Sequence, residues 1–284
     1  MLARLHTYAS FVRFSHSVFA LPFALAGALL ASRLVALTWG RVLWIVACMV
    51  AARSAAMGFN RLVDAAYDAR NPRTAGREIP RGAMTPREAV IFVFVSSAAF
   101  VACTIPLGPL CLALSPVALA IVFWYSVAKR FTSYTQLFLG LAMAVAPVGG
   151  WIAAGGPMRG EPWLLGLAIG TWVAGFDVLY ACQDLDFDRR EGLRSIPVRF
   201  GLRHAITIAR ALHVVAVLAL ASVGLVAGLG PIYITGVAVV ALLLVYEQSL
   251  VRPDDLSQVK RAFDLNGWVG VLYLLATAAD VYLA

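Results

Sequence analysis

The sequence predicts an all-α membrane protein, because its composition, its long apolar runs and its charge distribution agree. Hydrophobic residues make up 61% of the 284 residues and charged residues only 13%, and the mean hydropathy is +0.83. Soluble domains are about half apolar and about a quarter charged. Lipid is therefore the expected solvent. The alternating ten-residue strands that are typical of membrane barrels do not occur in the sequence.

Apolar runs of about 20 residues recur along the chain, and each is long enough to cross a bilayer as a helix. About nine spans are predicted, at 14–37, 42–68, 88–107, 109–128, 136–155, 162–185, 204–228, 231–251 and 262–283. The first lacks an A-x-A cleavage site and opens a series of similar spans, so we interpret it as a retained anchor. No stretch resembles a linker, and we expect one domain over residues 1–284.

The basic residues predict the orientation of these spans. They cluster in the segments that follow the second, fourth, sixth and eighth spans, whereas the opposite connections hold only Arg33, Arg41 and Arg159. By the positive-inside rule, the N-terminus and the basic loops are expected in the cytoplasm. We therefore expect an integral protein of the bacterial inner membrane. The net charge of +8 is explained without nucleic acid.

The second span ends in a polar face. In NRLVDAAYD, residues 60–68, Asn60, Asp64 and Asp68 recur at every fourth position. On a helix they fall within a sector of about 80° and extend along about 12 Å.

The sixth span ends in a similar way, in FDVLYACQDLDFDRREG. Asp177, Asp184 and Asp188 fall within a sector of about 40° if the helix continues that far. Asp186 would then point the opposite way, so we leave it out of the site. Both acidic faces lie on the predicted cytoplasmic side, and each adjoins an Arg-rich loop.

Carboxylates at this depth are costly unless they face a cavity and have a partner. Mg²⁺ prefers oxygen ligands and completes its shell with water and substrate phosphates. Arginines bind phosphate oxygens in bidentate fashion. The pattern therefore predicts a pocket for a diphosphate that carries a long hydrocarbon. A solvated helix cap or a surface ion pair is the simpler interpretation of either cluster alone, and two matched clusters disfavour it.

A cation-coupled membrane transporter is the alternative from a different class. Transport sites tend to lie near the bilayer midplane on broken helices. Here the acids cluster towards one face, and the adjoining arginines oppose the entry of a cation. The pattern therefore favours an enzyme.

Three segments resemble the UbiA superfamily of intramembrane prenyltransferases. NRLVDAAYDARNPRTAGREIPRGAMT carries an N-x-x-x-D-x-x-x-D core, and DLDFDRREGLRSIPVRFG is similar to the second aspartate motif of that family. YSVAKRFTSYTQ lies between them and resembles a third family segment. The resemblance implies a bundle of nine helices around a central cavity that opens laterally to lipid.

Further segments resemble one subgroup. VRFSHSVFALPFALAGALLA and YEQSLVRPDDLSQVKRAFDLNG are similar to the UbiA-like polyprenyltransferases of the futalosine route to menaquinone. This implies 1,4-dihydroxy-6-naphthoate as the acceptor and a polyprenyl diphosphate as the donor. A 4-hydroxybenzoate polyprenyltransferase of the ubiquinone type is the alternative. Haem-O-synthase and chlorophyll-synthase relatives share the aspartate motifs and rank lower.

The resemblance also implies roles for individual residues. The residues expected to hold Mg²⁺ on the diphosphate are Asn60, Asp64, Asp68, Asp184 and Asp188. The residues expected to bind the diphosphate itself are Asn60, Arg61, Arg73, Arg77, Lys129 and Arg130. Asp177 is expected to position or deprotonate the acceptor.

Aromatic faces near these motifs are expected to shelter an allylic cation, and the candidates are Phe59, Tyr125, Phe176 and Tyr180. An acidic acceptor also needs a cation, for which Arg13 and His16 are candidates. Asp264 and Asn266 open the last span. They either line the acceptor end of the cavity or cap the helix, and capping is the preferred interpretation.

Overall fold

The protein is described by a computed structural model that covers Phe11 and residues 20–283. Ten α-helices run through it in chain order: α1 (Leu21–Ala31), α2 (Trp39–Arg70), α3 (Pro86–Thr104), α4 (Pro109–Ala128), α5 (Thr135–Ala153), α6 (Glu161–Ala181), α7 (Leu185–Arg190), α8 (Ile196–Ala227), α9 (Pro231–Ser249) and α10 (Val259–Leu283). Short 3₁₀ turns follow α3 and α6. Over the described residues, the only β-type pairing is one bridge between Arg252 and Asp255.

The prediction of an all-α membrane bundle is confirmed. Within the described part of the chain, eight helical segments are long and apolar enough to cross a membrane, and α1 is a shorter apolar helix. The predicted first span lies partly outside the described residues, since residues 12–19 are not among them. A non-helical residue, Gly201 (φ 76°), divides α8 into a short first part and a long second part. The long part begins close to the predicted start of the span at residue 204, and the short part from Ile196 was not predicted.

The helices begin where the sequence supplies an N-cap or a proline in the first turn. Thr85 and Glu88 form a capping box at the start of α3, so two of its unpaired N–H groups are satisfied reciprocally. Thr38 caps α2 and Ser195 caps α8 through their hydroxyl oxygens. These local signals explain why the loops end where they do.

Helix α6 lies at the centre of the bundle. Of the apolar part of the span Glu161–Arg190, 61% is buried, which is more than in any other span. It packs between α5 and α8, and α1 packs against α5 and α10. Helices α1 and α5 approach closely, because a Cβ on Gly150 would lie 2.0 Å from the carbonyl oxygen of Ala24. Small residues permit such contacts between helices in lipid, where close packing drives association.

An apolar cavity of about 720 Å³ lies beside this core. Its walls come mainly from α2, α4 and α5, with contributions from α1, α3 and α6. Two polar side chains, Arg53 of α2 and Tyr125 of α4, are part of its lining. Through Tyr125, which lies near Asp64 and Asp177, the cavity approaches the helix ends that carry the acidic motifs.

Candidate active site

The C-terminal end of α2 carries Asn60, Asp64 and Asp68 on one face, as the spacing predicts. Asp64 and Asp68 are only 4% and 6% exposed. The Asn60 Nδ2 atom donates to Asp64 Oδ2 at 3.4 Å. A long helix that is fixed by its packing against α3 and α4 thus positions the first acidic cluster.

Each of the two aspartates on α2 is paired with cations from elsewhere in the chain. Lys129 Nζ, just after α4, donates to Asp64 Oδ2 at 2.7 Å. Arg130 lies 3.5 Å from the other Asp64 oxygen and also donates to the backbone carbonyl of Val63. Arg77 Nη1 lies 2.8 and 2.7 Å from the two oxygens of Asp68. These ion pairs offset the cost of burying the two carboxylates.

The second acidic segment differs from the prediction, which assumed one continuous helix from Asp177 to Asp188. Helix α6 ends at Ala181, a 3₁₀ turn covers Cys182–Asp184, and the six-residue α7 follows. A 3₁₀ turn advances by about 120° per residue instead of about 100°, so the assumed phasing is wrong. Asp186 is nevertheless exposed, as expected, whereas Asp184 and Asp188 are half-buried.

The two acidic segments meet through the loop that follows α2. Asn71 Nδ2 donates to Asp184 Oδ1 at 3.4 Å. Arg73 donates through Nε to Asp184 Oδ1 at 3.1 Å and through Nη2 to Oδ2 at 2.5 Å, and its Nη1 atom donates to the Tyr180 hydroxyl at 2.7 Å. Burial lowers the pKa of Arg73 while Asp184 raises it, with a net rise. Arg73 therefore remains a cation at the junction.

The remaining two carboxylates share these cations. Asp188 lies beside the Ser195 hydroxyl and within electrostatic range of Asp184, Lys129 and Arg73. Asp177, deeper on α6, is within range of the same two cations and of both neighbouring aspartates. Among the described side chains, five carboxylates thus lie near four cations of the acidic pocket. These cations are the side chains of Arg73, Arg77, Lys129 and Arg130.

The predicted aromatic residues fall into three places. Phe176 and Tyr180 belong to one wall, which Phe263 of α10 completes at centroid distances of 5.6 and 4.7 Å. Phe59 packs on Phe123 at 4.6 Å. Tyr125 lies within electrostatic range of Asp64 and Asp177, between the acidic pocket and the cavity.

Two aromatic residues of the site escaped the sequence analysis. Phe263 joins Phe176 to Tyr180, although it lies 83 residues after Tyr180. The Tyr67 ring lies below Lys129 and Arg130 at 5.6 and 5.5 Å. Tyr67 lies within the quoted motif, and its place one residue before Asp68 was the available signal.

Arg53 is a further residue that the sequence analysis missed. It lines the apolar cavity and interacts electrostatically with Tyr125. Its buried Nε atom has no hydrogen-bond partner among the described residues. It lies seven residues before Asn60 and therefore on nearly the same helix face. A lone arginine inside an apolar span was the signal, since such residues are rare and usually functional.

Other predicted residues have different surroundings. Arg61 is buried and its Nη1 atom lies 3.9 Å from Glu78 of the following loop. Arg13 and His16 lie outside the described residues. In residues 20–283, no three His, Cys, Asp or Glu side chains converge as a metal-binding group, because the cations stand between the carboxylates.

The preferred interpretation of Asn266 as a helix cap is wrong. Asn266 lies inside α10 and is fully buried. Its Oδ1 atom accepts from Trp172 Nε1 at 2.7 Å, and its Nδ2 atom donates to Glu247 Oε1 at 2.9 Å. Asp264 is exposed and pairs with Lys260 instead. The asparagine thus joins α6, α9 and α10 behind the aromatic wall, where Trp172 packs on Phe176.

Comparison with known proteins agrees with this fold. Residues 20–271 match the model of the UbiA prenyltransferase family. The chain belongs to this family, and it is a membrane-embedded prenyltransferase.

Similar proteins include the 4-hydroxybenzoate octaprenyltransferases of Alkalilimnicola ehrlichii and Aromatoleum aromaticum. The first is 34% identical over 232 residues, which are 81% of this chain and 78% of that protein. The second is 32% identical over 228 residues, which are 80% and 77% of the two chains.

Solved structures with the same fold include two archaeal UbiA homologues. The apo structure of the Aeropyrum pernix K1 homologue has a TM-score of 0.86 and 36% identity, and the match covers 94% of this chain and 98% of that one. The Archaeoglobus fulgidus homologue bound to GPP and Mg²⁺ has a TM-score of 0.73 and 19% identity, over 96% and 99% of the chains. The second comparison shows the fold alone.

Proposed function

We propose that this protein transfers a polyprenyl group from a prenyl diphosphate to a ring carbon of a small aromatic acid in quinone biosynthesis. One observation carries the proposal: a pocket of paired aspartates and basic residues adjoins an apolar cavity that is lined by a half-buried arginine, Arg53. The names of the relatives, and the GPP and Mg²⁺ bound to an archaeal homologue, support it. The pocket is proposed to face the cytoplasm of the bacterial inner membrane.

The donor atoms of the pocket suit Mg²⁺. The proposed ligands are Asn60, Asp64, Asp68, Asp184 and Asp188, all of which offer hard oxygen atoms. When bound, Mg²⁺ supplies a Lewis acid that stabilises the charge developing on a leaving diphosphate.

The basic side chains are proposed to exchange partners when the substrate binds. Arg73 binds Asp184 through two guanidinium nitrogens, whereas Arg77 contacts both oxygens of Asp68 through Nη1 alone. Both guanidiniums can also bind the oxygens of a diphosphate. Lys129 and Arg130 add fixed positive charge at the place where negative charge develops as the allylic C–O bond breaks.

The apolar walls are proposed to hold the hydrocarbon and to exclude water from the allylic cation. The wall formed by Phe176, Tyr180 and Phe263 lies beside the acidic pocket, since Tyr180 accepts from Arg73. Aromatic faces attract cations. Phe59 of α2 and Tyr125 of α4 are also proposed to shelter the allylic cation.

Arg53 is proposed to bind the carboxylate of the acceptor. The acceptor ring carbon then forms the new C–C bond to the allylic carbon, and diphosphate leaves with the electrons of the C–O bond. Asp177 is proposed to take the proton that the ring carbon loses. Arg13 and His16 remain proposals for further contacts to the acceptor.

The proposed acceptor is 1,4-dihydroxy-6-naphthoate, on the basis of the resemblance to the menaquinone subgroup. The second candidate is 4-hydroxybenzoate, which the names of the relatives favour. Both acceptors carry a carboxylate that Arg53 would recognise, so the pocket chemistry suits either one.

Reconstituted protein tests the proposal with geranyl diphosphate, Mg²⁺ and each acceptor in parallel, with EDTA controls. EDTA-sensitive product from the naphthoate alone would support the menaquinone assignment. Product from 4-hydroxybenzoate alone would move the protein to ubiquinone-type synthesis. Folded protein that prenylates neither acceptor would contradict the proposed substrate class.

A further inference from the structure

A groove of about 410 Å³ lies on the flank of the bundle, away from the candidate active site. The N-terminal half of α8 forms one wall, and the segment between α9 and α10 forms the other. The lining residues are Arg203, Ile206, Thr207, Arg210, Pro253 and Asp254. None of them belongs to the proposed prenyl-transfer machinery.

The two arginines of this groove point the same way along α8. They are seven residues apart, which places them within about 20° of each other and about 10 Å apart along the axis. Both are exposed. Within Phe11 and residues 20–283, neither guanidinium has a hydrogen bond or an ion pair, whereas the nearby Arg199 lies over Tyr134 and Phe200.

The position of Arg210 along α8 sets its depth in the membrane. No charged residue occurs from 211 to 227, where α8 ends. That stretch is about 25 Å long and nearly matches the hydrocarbon core of a bilayer, about 30 Å. Arg210 therefore lies at the edge of the hydrocarbon, at the level of lipid phosphates. Below it, Val214 and Leu218 are 58% and 62% exposed and offer an apolar track for an acyl chain.

We propose that this groove binds the headgroup of an anionic phospholipid whose phosphodiester is followed by hydroxyl donors, as in phosphatidylglycerol. Guanidiniums bind phosphate oxygens with two parallel hydrogen bonds. Two arginines and Asp254 give the lining a net charge of +1, which matches a singly charged phosphodiester. The Asp254 carboxylate only accepts hydrogen bonds, and it therefore favours a headgroup that carries a donor group.

A simpler interpretation is that these arginines extend to the water layer without a specific partner. That interpretation explains the exposure of Arg210 but predicts no preference among headgroups. The groove places a carboxylate and a second guanidinium beside Arg210, and it therefore predicts that preference.

Native mass spectrometry of the full chain in detergent, titrated with lipid, tests the proposal. Phosphatidylglycerol is expected to bind the wild type at least tenfold more tightly than phosphatidylcholine. Arg203→Gln and Arg210→Gln are each expected to weaken its binding about tenfold. Lys260→Gln removes one cation of an exposed ion pair elsewhere and is expected to leave binding unchanged. Equal binding by Arg210→Gln and the wild type, or equal losses in Arg210→Gln and Lys260→Gln, would overturn the proposal.

Two further arms separate the lipid from other sources of phosphate and test the role of Asp254. Phosphatidylmethanol has the same charge as phosphatidylglycerol but lacks the hydroxyl donors. Asp254→Asn is expected to weaken the binding of phosphatidylglycerol about fivefold and to leave the binding of phosphatidylmethanol unchanged. If the ratio of the two affinities is the same in Asp254→Asn and the wild type, the headgroup assignment is contradicted. Inorganic phosphate at millimolar concentration is expected not to displace the lipid, and full displacement would indicate a free-phosphate site instead.

Discussion

Arg73 holds Asp184 with two hydrogen bonds, although 111 residues separate them in the sequence. The arginine comes from the loop after α2 and the aspartate from the 3₁₀ turn after α6. Together with Asn71, which also donates to Asp184, the Arg73 side chain links the two acidic motifs. The Arg73 guanidinium also connects the two motifs to the aromatic wall, because its Nη1 atom donates to the Tyr180 hydroxyl.

Replacement of Arg73 by lysine tests the importance of this two-nitrogen contact with Asp184. Lysine keeps the charge but cannot form the bidentate contact, so we expect kcat/KM for the prenyl diphosphate to fall about 100-fold. Arg70→Lys is the matched control, because Arg70 pairs with Glu191 at the surface. Steady-state kinetics measures both variants. Wild-type kcat/KM in Arg73→Lys would show that charge alone suffices.

The assignment of the metal ligands is tested by exchanging carboxylates for amides. Asp64→Asn and Asp184→Asn are each expected to lower turnover by 100-fold or more, about 2.7 kcal/mol in the barrier, and to raise the Mg²⁺ concentration required. The matched control is Asp186→Asn, since Asp186 is exposed on the same segment. Turnover is measured across a Mg²⁺ titration. If Asp186→Asn is as damaging as Asp184→Asn, the assignment of the second motif is wrong.

Arg53 provides a test that separates the two substrates. A hydrogen bond to a charged group contributes about 1.5–3 kcal/mol, so Arg53→Leu is expected to raise the KM of the acceptor by about 10- to 100-fold. The KM of the prenyl diphosphate is expected to change little. Arg41→Leu is the control, because Arg41 donates to the carbonyl of Ala153 outside the acidic pocket.

A second acceptor sharpens this experiment. An acceptor analogue that lacks the carboxylate is expected to be a poor substrate of the wild type. The Arg53→Leu variant is expected to use the acid and the analogue almost equally. Undiminished preference for the acid in that variant would assign carboxylate recognition to another residue.

Asn266 provides a test of stability. Asn266→Leu leaves the indole N–H of Trp172 without its acceptor and the Glu247 carboxyl without its donor. A buried polar group without a partner costs about 1–3 kcal/mol, so the apparent melting temperature in detergent is expected to fall by several degrees. Asp264→Leu, at an exposed position on the same helix, is expected to change it by less. An unchanged melting temperature in Asn266→Leu would show that this network contributes nothing to stability.

Parts of this molecule could be predicted because their signals are local. The acidic face of α2 followed from the 3.6-residue period, since Asn60, Asp64 and Asp68 lie on one uninterrupted helix. The membrane class followed from composition. Lys129 and Arg130, which pair with Asp64, were both among the predicted basic residues because they belong to the quoted segment YSVAKRFTSYTQ.

Other parts depend on contacts that no local pattern records. The 3₁₀ turn at Asp184 breaks the period on which the second phasing relied. Phe263 reaches the aromatic wall only through the packing of α10 in three dimensions. Arg53 was overlooked because a single polar residue hardly changes the hydropathy of a 32-residue helix.

The ion pairs of the acidic pocket also bear on selectivity among soluble anions. Because Arg73 and Arg77 already bind carboxylates of the protein, a diphosphate can bind these arginines only by displacing those carboxylates. Free inorganic diphosphate gains little from such an exchange, whereas a prenylated one also buries its tail in the apolar cavity. We therefore expect the hydrocarbon to supply most of the affinity and the released diphosphate product to inhibit the protein only weakly.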